Sequence, residues 1–479
     1  LVVAGVLLIA SALLARLSAR VGVPVFMLFL AVGMLAGSDG IGQIALDDYE
    51  LVFRFSTVAL ALILFDGGLN TSIVTFRKAL GPATVLATVG VLLTAAIVAG
   101  LAWLLGLSLP LALLLGAVVS STDAAAVFSV LRSSGIRLRD RVGATLEIES
   151  GLNDPAAILL TTLVMAWITS PDSLGLTFLW MVVLQLVVGV AGGCVIGWLG
   201  RWMLTRTRLP VAGLAMVITT GIALLAFGIP TLLAGSGFLS VYVAALVLGN
   251  TTLPYRASLM RVHDALAWLA QVSMFLLLGL LVFPSRLMEV AGVGLLLGLG
   301  LALIARPLAA GLCLLPFRFR RRELAAVSWI GLRGAVPIVL ATLPVMAAVE
   351  GAERLFDLVF FIVVVSSVIP GATVALAARK LGVTSNAPPP PQAVLEITSL
   401  QSLEGDILQF VIRPGLAAAG ATIHELPMPA GTTAMLIVRG RELIGPRGPT
   451  RLEVGDHLFL FCRREDRDLI ELIFGAAVE

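Results

Sequence analysis

The chain has 479 residues, of which 59% are hydrophobic and only 13% charged, and its net charge is +3 at neutral pH. With a mean hydropathy of +1.05 it falls outside the range of soluble globular proteins, and stretches such as Val85 to Leu105 or Ala291 to Ile304 offer almost no polar surface to water. The small charge, spread between apolar segments, gives no sign of nucleic-acid binding, and no nucleophile–base set or metal-ligand spacing supports an enzyme.

Divided at Arg, Pro and Gly clusters, the apolar runs make about thirteen spans of roughly 17–25 residues, as a ~30 Å hydrocarbon core requires. Their centres lie near Leu8, Phe29, Ala59, Leu93, Val118, Pro155, Val188, Thr220, Val241, Met274, Leu299, Val336 and Val364. The first reads as a true span and not a signal peptide, since it ends in Arg16 and Arg20 without a small-x-small cleavage site. Odd-numbered spans are followed by cations, such as Arg77 and Lys78, Arg201, Arg206 and Arg208, or Arg318, Arg320, Arg321 and Arg322. Even-numbered spans are followed by Asp39, Asp47, Asp172, Glu289 and Glu350 with few cations. The positive-inside rule then puts the N-terminus outside and the C-terminus in the cytoplasm.

Beyond 1–382, the run Pro388 to Pro391 marks 383–392 as an extended linker. From 393 to 479 the pattern changes to short strands at Ile407 to Arg413, Ala434 to Val438 and His457 to Cys462, closed by a helix from Asp466 to Phe474. The expected fold is therefore an all-α membrane domain followed by a small α+β domain.

Ionisable groups at membrane depth cost about 2.5–3.5 kcal/mol each on insertion scales, so each needs a partner or a task. Asp123 ends the run Ser120-Ser121-Thr122 inside the fifth span, where a local break would expose carbonyl oxygens to an ion. The sixth span holds Glu147, Glu149, Ser150, Asn153 and Asp154 before Pro155. Ser150 and Asp154, at i and i+4, can face one point while Glu149 pairs elsewhere. Arg333, between Gly331 and Gly334 in the twelfth span, is the expected partner of Glu149 in a neutral structural pair. Arg306 in the eleventh span has no assigned partner, Asp66 reads as structural, and His263 reads as a solvated loop residue. The interrupted fifth and twelfth spans are seven apart and so run in opposite directions, which is the mark of inverted repeats with two broken helices crossing beside a binding site.

Together Thr122-Asp123, Asn153-Asp154 and Gly331-Leu332-Arg333-Gly334 resemble the NhaP-type branch of the cation:proton antiporters, and Phe65-Asp66-Gly67-Gly68-Leu69 looks like its third-span signature. The resemblance implies that Asp154 and Asp123 bind the monovalent cation or proton, helped by the Ser150 hydroxyl and the Thr122 carbonyl. It implies that Asn153 steadies the crossing and makes exchange electroneutral, that Glu149 and Arg333 form the buried pair, and that the protein is a homodimer. Ala124 stands where that family often has proline, and Pro155 follows Asp154 instead, so sodium selectivity does not carry over. The C-terminal part resembles a TrkA-C (RCK-C) domain, which implies cytoplasmic regulation and leaves room for a nucleotide ligand. With it the chain is similar to CvrA-like potassium/proton antiporters of bacterial inner membranes, with sodium/proton exchange as the alternative. Asp154 would hold a proton or a cation, never both, and need no resident cofactor. A regulated cation channel is the rival of another class, but no Thr-Val-Gly-Tyr-Gly filter loop is present.

Overall fold

The computed structural model describes residues 2–21, 24–169, 176–207, 211–251, 253, 255–385, 405–440 and 442–475. It falls into two compact units, Leu1–Ser385 and Asn386–Glu479. Asp172, Arg208 and the Pro388 to Pro391 run lie outside the described residues.

In lipid every backbone group must be satisfied within the protein, and aliphatic runs meet that demand as helices. The first unit opens with α1 (Val2–Val21), α2 (Val25–Ala36) and α3 (Tyr49–Asn70). Next come α4 (Ile73–Val85) and α5 (Val91–Leu104), joined without a loop by a π-helical turn at Leu86–Gly90. The short helices α6 (Leu109–Val118) and α7 (Ala124–Ser133) flank a break, and α8 (Asp140–Thr169) follows. After them run α9 (Leu176–Arg206), α10 (Ala212–Leu232), α11 (Gly237–Gly249) and α12 (Arg256–Leu280). Then α13 (Pro284–Gly300) continues through a second π-helical turn, Leu301–Ala305, into α14 (Arg306–Leu314). A second break separates α15 (Arg321–Trp329) from α16 (Ala335–Met346), and α17 (Ala352–Lys380) closes the unit.

Each expected span centre falls inside one of these helices. Among the described residues eight helical segments are long and apolar enough to cross a membrane, and five further apolar helices are shorter. The unit is thus an all-α, multi-span membrane domain. Local contacts fix two of the shorter helices in place. In α11 the chain stops at Asn250, whose amide donates to the Leu246 and Thr71 carbonyls, both at 2.8 Å, and accepts from the Ile73 N–H at 2.7 Å. In α2, Gly33 lies against the backbone of Gly279 in α12, so that a Cβ on either would strike the other helix. Such small-residue contacts replace the hydrophobic force that lipid cannot supply between helices.

His263 departs from its expected solvated loop. It is buried within α12, bonded through Nε2 to the Thr219 hydroxyl of α10 at 2.8 Å, with its ring 5.1 Å from that of Phe65. The segment expected to open the linker also differs: Val383 is buried, its carbonyl accepts from the Arg139 N–H, and Thr384 bridges Leu138.

The second unit contains one antiparallel sheet of β1 (Asp406–Val411), β2 (Thr433–Arg439), β3 (Glu442–Ile444) and β4 (His457–Cys462), in the order β1-β4-β2-β3. The helix α18 (Arg467–Phe474) covers it, and Phe410, Leu458, Leu460, Ile470 and Phe474 form its core. The buried Asp456 carboxylate ends the turn before β4, accepting from the Glu453 N–H at 2.8 Å and from Nε and Nη2 of Arg439, both at 2.8 Å. These bonds to its carboxylate partner hold the Arg439 guanidinium above its ordinary pKa. Replacing Arg439 by Ala leaves that carboxylate without its cation, and the expected cost is about 2–3 kcal/mol, read as an earlier thermal transition of the second unit. An unchanged transition would show the pair to be idle.

Candidate functional site

The two breaks meet in the interior of the first unit. Residues 119–123 leave α6 and residues 330–334 leave α15, and the Asp123 N–H donates to the Leu332 carbonyl at 2.8 Å. Breaking a helix strands its end groups, and several of them are answered by named side chains. Arg333, 1% exposed, donates to the Ser120 carbonyl at 3.0 Å and to the Ser121 carbonyl, placing its charge at the negative end of α6. At the start of α7 the Ala126 N–H donates to Asp123 Oδ1 at 3.1 Å, and the Ala124 N–H donates to Ser150 Oγ at 3.0 Å. Ser150 in turn donates to the Thr122 carbonyl at 3.1 Å, and Asn153 Nδ2 to the Thr122 hydroxyl at 2.5 Å. The Ser367 hydroxyl of α17 reaches the Arg333 carbonyl at 2.9 Å.

Glu149 is not paired with Arg333. It lies 1% exposed on the far side of α8 and receives both arms of Arg306, Nη1 to Oε1 at 2.5 Å and Nη2 to Oε2 at 2.8 Å. The reason is steric and local. Gly331 has no side chain, and a Cβ there would press on the Arg306 guanidinium, so the chain bends around Arg306 and leaves it facing Glu149. Arg333, two residues on, is turned to the α6 carbonyls. Gly334 plays a matching part, because a Cβ there would collide with the Asp123 carboxylate.

A cavity of about 430 Å³ opens beside this crossing, lined by Thr122, Asp123, Ser150 and Asp154. Asn153 holds Thr122 from behind the lining. Asp154 is 8% exposed, and its Oδ1 is buried without a hydrogen-bond partner. Pro155 has no N–H to offer the Gly151 carbonyl one turn earlier, which loosens α8 at the same level. Asp66, expected to be structural, also lines the cavity, as do Tyr242 and Asp264. Of these three Asp66 stood out in the sequence, whereas Asp264 lies in the polar start of α12 and Tyr242 stands in an aliphatic helix. Among the described residues no group of three His, Cys, Asp or Glu side chains is arranged to hold a metal ion.

Two helix breaks facing each other beside a buried, uncommitted carboxylate define a secondary transporter of ions. The family model described as "Sodium/hydrogen exchanger, transmembrane" matches residues 7–380, and that of the TrkA-C domain matches residues 407–475. The chain is 41% identical over 473 residues to the K(+)/H(+) antiporter NhaP2 of Shewanella sp. (strain ANA-3), covering 98% of this chain and 82% of that protein. It is 37% identical over 480 residues to the K(+)/H(+) antiporter NhaP of Alkalimonas amylolytica, covering 100% of this chain and 83% of that protein. The structure of the sodium proton antiporter MjNhaP1 from Methanocaldococcus jannaschii at pH 8 shares the fold, with a TM-score of 0.64 at 23% identity over 79% of this chain and 94% of that one. The chain belongs to the sodium/hydrogen exchanger family and carries a C-terminal TrkA-C domain. It is a membrane-embedded secondary antiporter of monovalent cations and protons, not an enzyme.

The new pairing makes a measurable claim about stability. Arg306→Gln strands a buried carboxylate and should cost about 3 kcal/mol, whereas Glu149→Gln combined with Arg306→Gln should recover most of the loss. Thermal melting of the detergent-purified protein reads both. If Arg333→Gln were rescued by Glu149→Gln in place of Arg306→Gln, the pairing would be wrong.

Proposed function

We propose that the chain exchanges K+ for H+ one for one, with both ions competing for Asp154. The observation that carries this reading is the contrast between Asp123 and Asp154, two of the five carboxylates that line one cavity. Asp123 is already engaged, since its Oδ1 caps α7 and its N–H holds Leu332. Asp154 keeps a buried oxygen that no protein donor satisfies, which a proton or a partly dehydrated cation would satisfy instead. Ser150 and Thr122 line the same cavity and can offer neutral oxygens to a cation, and the potassium-specific names of relatives at 41% and 37% identity favour K+ over Na+. Asn153 adds no second charge next to Asp154, so one carboxylate trades one proton for one cation.

The reading extends to architecture. Among the described residues eight long and five short apolar helices support a reading of thirteen crossings. The π-helical turns fall in the fourth and eleventh crossings and the breaks in the fifth and twelfth, a constant offset of seven that supports two inverted repeats. Loop cations place the N-terminus outside a bacterial inner membrane and the TrkA-C domain in the cytoplasm, where it regulates exchange in response to a nucleotide or other ligand. The C-terminal end of α3, with Asp66 and Asn70 on the cavity wall, is then cytoplasmic. The working unit is a homodimer.

In proteoliposomes, Asp154→Asn should abolish K+-driven proton movement while the protein still purifies as a folded species. Exchange at the wild-type rate would refute the assignment, and faster exchange with Na+ than with K+, Rb+ or NH4+ would replace the proposed cargo.

A further inference from the structure

We propose that the membrane domain carries a docking surface for anionic phospholipid headgroups, built where the loops after the fifth, eleventh and last crossings are stitched together. The stitches are specific. Leu138 forms an antiparallel bridge with Thr384, flanked by the Arg139 N–H on the Val383 carbonyl and the Ser385 N–H on the Arg137 carbonyl, both at 2.8 Å. Arg141 reaches the neighbouring loop, donating to the Phe317 carbonyl at 2.6 Å with its guanidinium 4.0 Å over the Phe319 ring. Loops far apart in sequence are thereby held as one surface.

That surface is strongly cationic. Arg139, Arg320, Arg321, Arg322, Arg379 and Lys380 are all exposed on it, and Arg322 reaches to within 3.9 Å of where a Gly382 Cβ would stand. Glu323, one of two nearby carboxylates, is buried and occupied, accepting from the Arg320 N–H at 3.0 Å and lying 3.7 Å from Arg141. The other, Asp140, leaves the balance well on the positive side.

Its height in the membrane follows from the helix that leads to it. Leu308, Leu312 and Leu315 are 52%, 56% and 68% exposed at i, i+4 and i+7, an apolar stripe suited to acyl chains, and Arg318 comes one turn later. Cations that begin where a lipid-facing stripe ends sit at headgroup level, where planar guanidinium groups bind phosphate in a bidentate manner. The surface rides on α7, α8, α14, α15 and α17, which carry or border Asp154, Glu149, Arg306 and both breaks. Lipid held there bears directly on the bundle that contains the exchange site.

The test reconstitutes the full chain in vesicles of phosphatidylcholine alone and in vesicles with about one-third phosphatidylglycerol. Wild-type exchange should be at least about threefold faster in the anionic vesicles. The triple variant Arg320→Gln, Arg321→Gln, Arg322→Gln should keep the basal rate in phosphatidylcholine and lose most of the stimulation, while the corresponding Lys variants, which keep the charge without the planar fork, restore part of it. Arg54→Gln, an exposed cation elsewhere, should leave the stimulation intact. A wild-type protein indifferent to phosphatidylglycerol, or a triple Gln variant stimulated like wild type, overturns the proposal. Stimulation by inorganic phosphate in neutral vesicles overturns the assignment to lipid. The inference uses the proposed exchange as its readout, yet loss of all exchange in every vesicle would strike that reading, whereas loss of lipid dependence alone strikes this one.

Discussion

A helix that stops inside a bilayer leaves N–H and C=O groups that no water can reach, and the interior of this domain is arranged around satisfying them. At the first break, Arg333 takes the Ser120 and Ser121 carbonyls, while Asp123 and Ser150 take the Ala126 and Ala124 N–H groups. At the second, the Asp123 N–H takes Leu332 and the Ser367 hydroxyl takes the Arg333 carbonyl. Most of the side chains at the crossing are therefore engaged in holding it. Among the described residues Ser121 Oγ, Asn153 Oδ1, Arg333 Nε and Nη2 and Asp154 Oδ1 are buried there without a partner, and Asp154 is the one carboxylate among them.

The same logic explains the charges that do not face the cavity. Bringing Glu149 and Arg306 together as a two-armed pair removes two unpaired charges from the low-dielectric interior and leaves α8 free to present Ser150 and Asp154 on its other side. The glycines around Arg333 are spatial necessities. Gly331 makes room for one guanidinium and Gly334 for one carboxylate, so the motif Gly331-Leu332-Arg333-Gly334 encodes clearance as much as charge.

The positions of the membrane helices were legible because a charge-free apolar run has few alternatives in lipid, and the two breaks were legible because polar clusters there are costly. The strands around Leu408, Leu436 and Phe459 were legible from two-residue alternation, whereas Glu442–Ile444 is too short to carry a period. The partner of Glu149 was not legible. Arg306 and Arg333 neutralise it equally well on paper, and the choice depends on how the backbone passes Gly331. His263 was misplaced for a similar reason: the polar start of α12 resembles a loop until Thr219, from a helix distant in sequence, supplies its partner. Tyr242 gave no signal, since its value lies in where α11 packs.

The central claim is that one carboxylate holds one of two guests, and it is tested most directly by counting protons when the cation arrives. Purified protein in weakly buffered detergent solution, titrated with K+, should release close to one proton per site filled. The release should vanish with asparagine at position 154 and persist when Arg306 and Glu149 are neutralised together. Cation binding without proton release in the wild-type protein, or undiminished release without the Asp154 carboxylate, would contradict the account.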